Sequence, residues 1–450
     1  METNTTEEKR SFWSPSVRSP HARRGDRAVR RRALSAFVIV TLVGLILLQK
    51  FAVEVNLNGL GIPLAAGAVQ ATLPVFYLGL IAAGPFIGLK LDIRRVALFS
   101  VFMIAVTLSL ALNKNIYSPS SVLLLVACYL PFLVYVEISA ERFRKLIDYY
   151  VWAIVGVGVI VIFQHIVQLT SSHLAWPNLN LLAPQELLLP GFNYLQPITE
   201  GSRIMKPNAV FFLEVSTVSQ FLALALVIET IFFVKIWRMV FLAGVLLACF
   251  AGTGLFMLAM SAPVVLLRVS PKTILAALIV FASTYVVAER IHWYQTVQGR
   301  FNEYEQQGSS ADLRFVAPGA ALVEALSDQD MILSGIGPGN SDKTTGYVTW
   351  ASTKVVTEYG LIPGALFMLF IGYCLFAHTH SNRLSFAVLV LYNFMAGGII
   401  IPIYPVILLL CCVMFRPPAG AKPPTWRRNG YEEIWSSLKR LGRRSPSSAA

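Results

Sequence analysis

Residues 290–353 read RIHWYQTVQGRFNEYEQQGSSADLRFVAPGAALVEALSDQDMILSGIGPGNSDKTTGYVTWAST, a polar stretch set into a strongly apolar chain. Its reading decides the fold, because a long insertion among short connections is uncommon unless it carries a function. The stretch holds Arg290, Arg300 and Arg314, several aromatics, and Gly335-Ile336-Gly337-Pro338-Gly339. Overall, the 450 residues are 56% hydrophobic and 14% charged, with mean hydropathy +0.63. A soluble domain carries about 25% charged residues. The composition is that of an integral membrane protein, and the expected fold class is all-α and polytopic.

Outward from this stretch, the basic residues fall in clusters. Nine Lys/Arg lie in the first 32 residues, ending Arg30-Arg31-Arg32, and eight follow Phe415. Short groups stand between them at Lys90/Arg94/Arg95, Arg142/Arg144/Lys145, Lys235/Arg238 and Arg268/Lys272. They alternate with basic-poor connections, which is the positive-inside pattern with both termini cytoplasmic. The formal charge of +13 therefore reads as a topology signal that also meets membrane lipid, and no nucleic-acid partner is expected.

Alternating the clusters predicts about twelve spans: 33–53, 62–89, 96–112, 120–138, 149–169, 208–230, 238–252, 255–268, 273–289, 355–377, 384–397 and 400–415. The organisation is then a basic tail over 1–32, spans one to nine over 33–289 with an outer loop at 170–207, a large outer loop at 290–353, spans ten to twelve over 354–415, and a basic tail over 416–450. The first span is long enough to cross a ~30 Å hydrocarbon core and reads as a signal anchor. The tails, rich in Arg, Ser and Pro, are expected to be disordered. All five cysteines (Cys128, Cys249, Cys374, Cys411, Cys412) fall in apolar spans, so no disulfide framework is expected. The histidines show no metal-ligand spacing; no metal and no cofactor is expected.

Several constellations could carry chemistry. Arg203-Ile204-Met205-Lys206-Pro207-Asn208 stands where span six begins. Pro207 can pre-set a first helical turn, which would put Arg203 and Lys206 above a helix N-terminus that favours an anion; the alternative is an interfacial anchor. In the large loop Arg314, with Arg300 and Arg290, offers planar guanidinium forks suited to phosphate oxygens, or else salt bridges to Asp312, Glu303, Glu305 or Asp328. The segment Ser310–Leu326 is compatible with a short helix capped by Ser310, with Asp312 in its first turn and Pro318 bending it.

Gly335 to Asn340 could present N–H groups to an oxyanion around Gly337 and Gly339, or form a plain tight turn. Trp293, Tyr294, Tyr304, Tyr347 and Trp350 could stack on sugar rings or form an interfacial belt. His165 and Glu214 are polar groups inside spans near the outer face, where burial is expensive.

These residues together resemble the O-antigen ligase and polymerase superfamily. The resemblance rests on about twelve spans, on the Arg-x-x-x-Pro-Asn from Arg203 to Asn208, and on a large outer loop holding Arg314. It also rests on Leu333-Ser334-Gly335-Ile336-Gly337-Pro338-Gly339 followed by Glu358-Tyr359-Gly360. It covers roughly residues 33–415.

It implies a GT-C-like membrane glycosyltransferase acting at the outer face of the bacterial inner membrane. The implied substrate is a glycan on an undecaprenyl diphosphate carrier, transferred to an acceptor hydroxyl. Arg203 and Arg314 map to the arginines that hold the carrier's diphosphate, and a chain-length regulator is a candidate partner. Where ligases carry a His-rich stretch before the Glu-x-Gly, this chain has Thr349-Trp350-Ala351; where a Ser-Arg is often found between spans seven and eight, it has Gly252-Thr253-Gly254. Both departures favour a repeat-unit polymerase over a ligase. Glu324, Asp312, Glu200 and Asp342 are the candidates for the base, with Glu324 placed first. A transporter or flippase of a lipid-linked glycan is the reading from another class.

Overall fold

The structure, a computed structural model, describes residues 20–55, 67–115, 117–170, 183–189, 195–198, 202, 204–266, 312, 316–341, 350–395 and 399–421. Helix dominates. The chain runs α1 (Pro20–Leu47), a hairpin of β1 (Ala52–Val55) and β2 (Gly67–Gln70), α2 (Thr72–Ile87), β3 (Lys90–Leu91), α3 (Ile93–Leu112), α4 (Pro119–Tyr129), β4 (Val134–Glu137) and α5 (Ala140–Thr170). It continues through α6 (Val215–Phe232), α7 (Ile236–Ala248), α8 (Gly252–Leu266), α9 (Ala317–Ser327), α10 (Gln329–Ser334), α11 (Ala351–Tyr359) and α12 (Leu361–Phe376). Last come α13 (Asn382–Val390), α14 (Ile403–Leu408) and β5 (Phe415–Arg416), with π-helical turns at Leu391–Met395 and Leu409–Val413.

Among the described residues three helices are long and apolar enough to cross a membrane: α3, α5 and α6. The most apolar window of α6 is 83% buried against 28% for α3. Helix α6 is therefore central, packed on α5, α7, α8 and α13, while α3 turns most of its apolar surface outward, as a lipid-facing helix would.

Basic groups far apart in sequence meet at one end of the bundle. Asp92 caps α3 by accepting the Arg94 and Arg95 N–H groups and pairs with Arg416. Strand β4 joins this end from both sides: it pairs antiparallel with β3 and parallel with β5. Arg95 is 1% exposed and donates to the carbonyls of Phe132 and Val413, each at 3.0 Å. Lys90 meets Glu137 at 2.8 Å, Arg30 donates to the Ile87 carbonyl at 2.9 Å, and Arg142 donates to Arg31 O and Ser35 Oγ. Arg238 is fully buried between Asp148 at 2.7 Å and Glu229 at 2.6 Å. Phe143 stacks on His380 at 4.4 Å, which brings the α12–α13 turn to the same end. In that turn burial holds His378 below its ordinary pKa, and Arg95 and Arg94 add to the shift.

Several expectations are corrected. The described chain is mostly helical, as the expected class requires, but it also carries two small sheets, β1-β2 and β3-β4-β5. Helix α1 starts at Pro20 within the expected tail and stops at Leu47 rather than Val53, since the chain then turns into β1. Span ten is two helices, broken at Gly360 (φ +88); Pro363 in the first turn of α12 has no N–H for a helix running through from α11. Pro318 stands in the first turn of α9, where its missing N–H costs nothing; residues 310–311 and 313–315 of the helix expected from Ser310 lie outside the described residues.

Candidate functional site

The end opposite the basic clusters is held by neutral amides. Gln49 Nε2 donates back to Leu45 O at 2.6 Å, and Gln49 Oε1 accepts the Leu213 N–H at 3.4 Å. Gln70 Nε2 donates to Gln49 O at 2.8 Å while its Oε1 accepts from Ile403 N at 3.2 Å. Gln220 continues the chain: Tyr404 donates its hydroxyl to Oε1 at 2.9 Å, and Nε2 donates to Met395 O at 3.1 Å. All three glutamines are at most 2% exposed, so each amide needs these partners. The network ties α1, β2, the segment before α6 and the turn before α14 to one point.

Residues 204–208 of the Arg-x-x-x-Pro-Asn segment are tied to the end of α5. Gln168, near the end of α5, pairs its amide with both backbone groups of Met205, at 2.6 and 3.1 Å. Lys206 donates its N–H to Gln196 O at 2.7 Å, and its side chain is buried. Asn208 is 1% exposed; its Oδ1 accepts from Val210 N at 3.0 Å and from Gln164 Nε2 at 3.5 Å.

That side-chain turn competes with helix formation, and Ala209 (φ +50) and Val210 (φ +66) are left-handed. The helix start expected at Pro207 is therefore corrected: α6 begins at Val215, and the residue at its N-cap is Glu214. Ser216 donates its hydroxyl to that carboxylate at 3.0 Å, so this N-terminus already faces an anionic group. A β-branched residue held at positive φ is strained, and such strain concentrates at functional sites.

The glycine-rich segment is built as a tight turn over α11. Ile336 and Gly337 donate their N–H groups to the carbonyls of Thr357 and Glu358, and Gly335 donates to Met331 O. These three N–H groups are engaged and are not turned toward a ligand. At Gly335 (φ +63) a Cβ would come within 2.5 Å of the Glu358 backbone, so only glycine fits. Gly337 packs on Tyr117, and Gly339 on Ser118 and Ser121.

Beneath the turn Ser341 donates its hydroxyl to Glu358 Oε1 at 2.7 Å, and Lys354 lies 3.8 Å from the same oxygen. Thr353 and Thr357, on the same helix, are fully buried, and among the described residues neither hydroxyl has a hydrogen-bond partner. Trp350 caps α11 and sets its ring edge-on against Phe394 at 5.1 Å.

Of the residues expected at a site, Lys206, Asn208, Gly337, Gly339 and Trp350 stand at this end, and Glu324 is exposed on α9. Arg203, Arg290, Arg300 and Arg314 lie outside the described residues, as do Glu200, Asp342, Trp293, Tyr294, Tyr304 and Tyr347. His165 meets the Ala248 carbonyl at 2.7 Å between α5 and α7. Among the described residues no His/Cys/Asp/Glu cluster could hold a metal ion, and the five cysteines are free and buried.

Two cations were missed by sequence reasoning. Lys50 is 1% exposed and Lys354 is 5% exposed. Lys50 carried a signal, being the lone charged residue of the apolar run Ala33–Val53; a charge in such a run is a functional candidate by default. Lys354 is legible only through its i,i+4 partner Glu358.

No family model, curated protein or solved structure matches this chain.

Proposed function

We propose that this chain is a membrane glycosyltransferase that polymerises undecaprenyl-diphosphate-linked oligosaccharide repeat units at the outer face of a bacterial inner membrane. In this reading about twelve helices form a GT-C-like bundle with both termini cytoplasmic. The observation that carries it is segregation. Among the described residues the basic clusters of the positive-inside pattern gather at one end of the bundle, and buried Lys50, Lys206 and Lys354 belong to the opposite end. Strained Ala209-Val210, directly after the motif that suggests the superfamily, adds support, as do the Thr353 and Thr357 hydroxyls, which have no hydrogen-bond partner among the described residues.

Arg203 and Arg314 hold the carrier diphosphate, with Lys206, Asn208, Arg290, Arg300 and Trp350 around the substrate, while Gly337 and Gly339 shape the turn packed on Tyr117, Ser118 and Ser121. The acceptor hydroxyl oxygen bonds to the anomeric carbon as the bond from that carbon to the diphosphate oxygen breaks. The hydroxyl proton passes to a carboxylate base, for which Glu324 is the first candidate. Negative charge grows on the departing diphosphate, and a preorganised cation there is worth about 3 kcal/mol.

Arg203→Ala and Arg314→Ala are each expected to leave protein level normal while surface polysaccharide collapses to single repeat units on a sizing gel. Long chains surviving in both would remove these arginines from the site. Full-length polymer no longer joined to its acceptor in a deletion strain would favour a ligase. Repeat units trapped on the inner leaflet would favour a flippase.

A further inference from the structure

The seam between α5 and α7 carries features that the proposed reaction does not use. Arg144, Lys145 and Lys235 are exposed at the basic end of this seam. The carboxylates beside them, Asp148 and Glu229, are occupied by Arg238, and Arg142 turns away to α1. Exposed Glu141, in the first turn of α5, offsets one of the three cations and leaves an excess of positive charge. Just inside them Trp152 and Trp237 face each other at 5.7 Å, both about half exposed (47% and 54%). Arg144 stands 5.1 Å from the Phe233 ring, and Arg238 stands 4.9 Å from the same ring and 5.4 Å from Trp152. Amphipathic tryptophans beneath a row of cations match the polar–apolar boundary of a bilayer.

Farther along both helices lies a furrow. A Cβ built on Gly156 or on Gly244 would meet nothing within 4 Å, whereas one on Gly158 would meet Phe241 at 2.8 Å. The two helices thus touch at Gly158, while exposed Val159 and Val240 rise beside the open glycines. Gly156 is twelve residues beyond Arg144 and Gly244 nine beyond Lys235, so the furrow extends about 13 to 18 Å from the cations at 1.5 Å per residue. That depth suits an acyl chain attached to a headgroup phosphate. A water-soluble partner could reach the cations but not the furrow.

We propose that the α5–α7 seam binds an anionic glycerophospholipid, with its phosphate at Arg144, Lys145 and Lys235 and one acyl chain in the furrow at Gly156 and Gly244. Charge complementarity selects the occupant, because a zwitterionic headgroup has its own cation to set against this excess. The site needs only that the bundle resides in a bilayer, whatever reaction the opposite end performs.

The test reconstitutes the full chain in phosphatidylcholine vesicles and adds phosphatidylglycerol or phosphatidylcholine with brominated chains. Quenching of Trp152 and Trp237 is read as the difference from a Trp152→Phe/Trp237→Phe protein. Wild type is expected to favour phosphatidylglycerol, and Arg144→Gln and Lys235→Gln are each expected to cut that preference about fivefold. Gly156→Leu with Gly244→Leu is expected to weaken quenching while the cations stay in place. Equal quenching by the two lipids in wild type would overturn the proposal, as would a preference that survives Arg144→Gln/Lys235→Gln. Absence of quenching by both lipids would also overturn it, and would mean that another protein surface, such as a second copy, covers the pair.

Discussion

At the basic end Arg238 is held between two carboxylates at 2.6 and 2.7 Å, whereas at the opposite end Gln49, Gln70 and Gln220 do the joining with neutral amides. Both solutions satisfy buried polar groups, but they leave different fields. Ion pairs cancel charge locally, so the net positive charge of the basic end resides on its exposed side chains, where water and lipid headgroups reach it. Neutral amides cancel nothing. Buried Lys50, Lys206 and Lys354 at that end accompany two carboxylates that are buried or half-buried among the described residues, Glu358 and Glu214. The difference teaches where an anion would be stabilised: beside buried cations in a poorly hydrated setting, where each charge acts more strongly than at a surface.

The comparison can be broken most directly at Arg238. Arg238→Met leaves Glu229 buried without its cation, and a loss of about 3–5 kcal/mol is expected. Thermal unfolding in detergent would check this, and Glu229→Gln added to Arg238→Met should recover much of the loss. A mild effect of Arg238→Met alone would mean that the basic end is not locked by ion pairs.

Gly335→Ala tests the opposite end through shape. With φ at +63 and backbone atoms at 2.5 Å, the added methyl should cost about 1–3 kcal/mol and release the turn from α11, read as faster hydrogen exchange at Ile336 and Gly337. Gln70→Leu should cost a similar or smaller amount, about 1–3 kcal/mol, by leaving the Ile403 N–H without its acceptor. A larger loss from Gln70→Leu than from Arg238→Met would reverse the contrast between the ends.

The smallest expected effect is at His378. Its folded pKa is depressed, so as pH falls through the ordinary histidine range the unfolded chain takes up the proton first. Stability should therefore fall with pH in that window and be regained as pH rises toward the unfolded value. A His378→Asn protein should lack this dependence; an unchanged pH profile would remove His378 as its source.

Much of the bundle was legible in the sequence. Apolar runs and basic clusters are local signals, and α3, α5 and α6 overlap spans read directly from them. The details that failed were those where a side chain competes with the helix. Asn208 ties its own backbone into a turn and delays α6 to Val215, and Gly360 with Pro363 divides what hydropathy alone reads as one span. The glycine-rich segment could be read as a nest or as a turn, and only its fit against Thr357 and Glu358 decides for the turn.

By itself the sequence determined that this is a mostly helical chain with the composition of a membrane protein, and where its charges lie along the chain. Those properties follow from the free energy of moving each residue out of water, which needs no knowledge of neighbours. The tertiary structure alone decided which polar groups meet. Gln49, Gln70, Leu213 and Ile403 share one network across most of the chain's length, and Arg238 finds Asp148 from another helix. No periodicity encodes such meetings, because a buried hydrogen bond or ion pair exists only once packing has removed water from both partners.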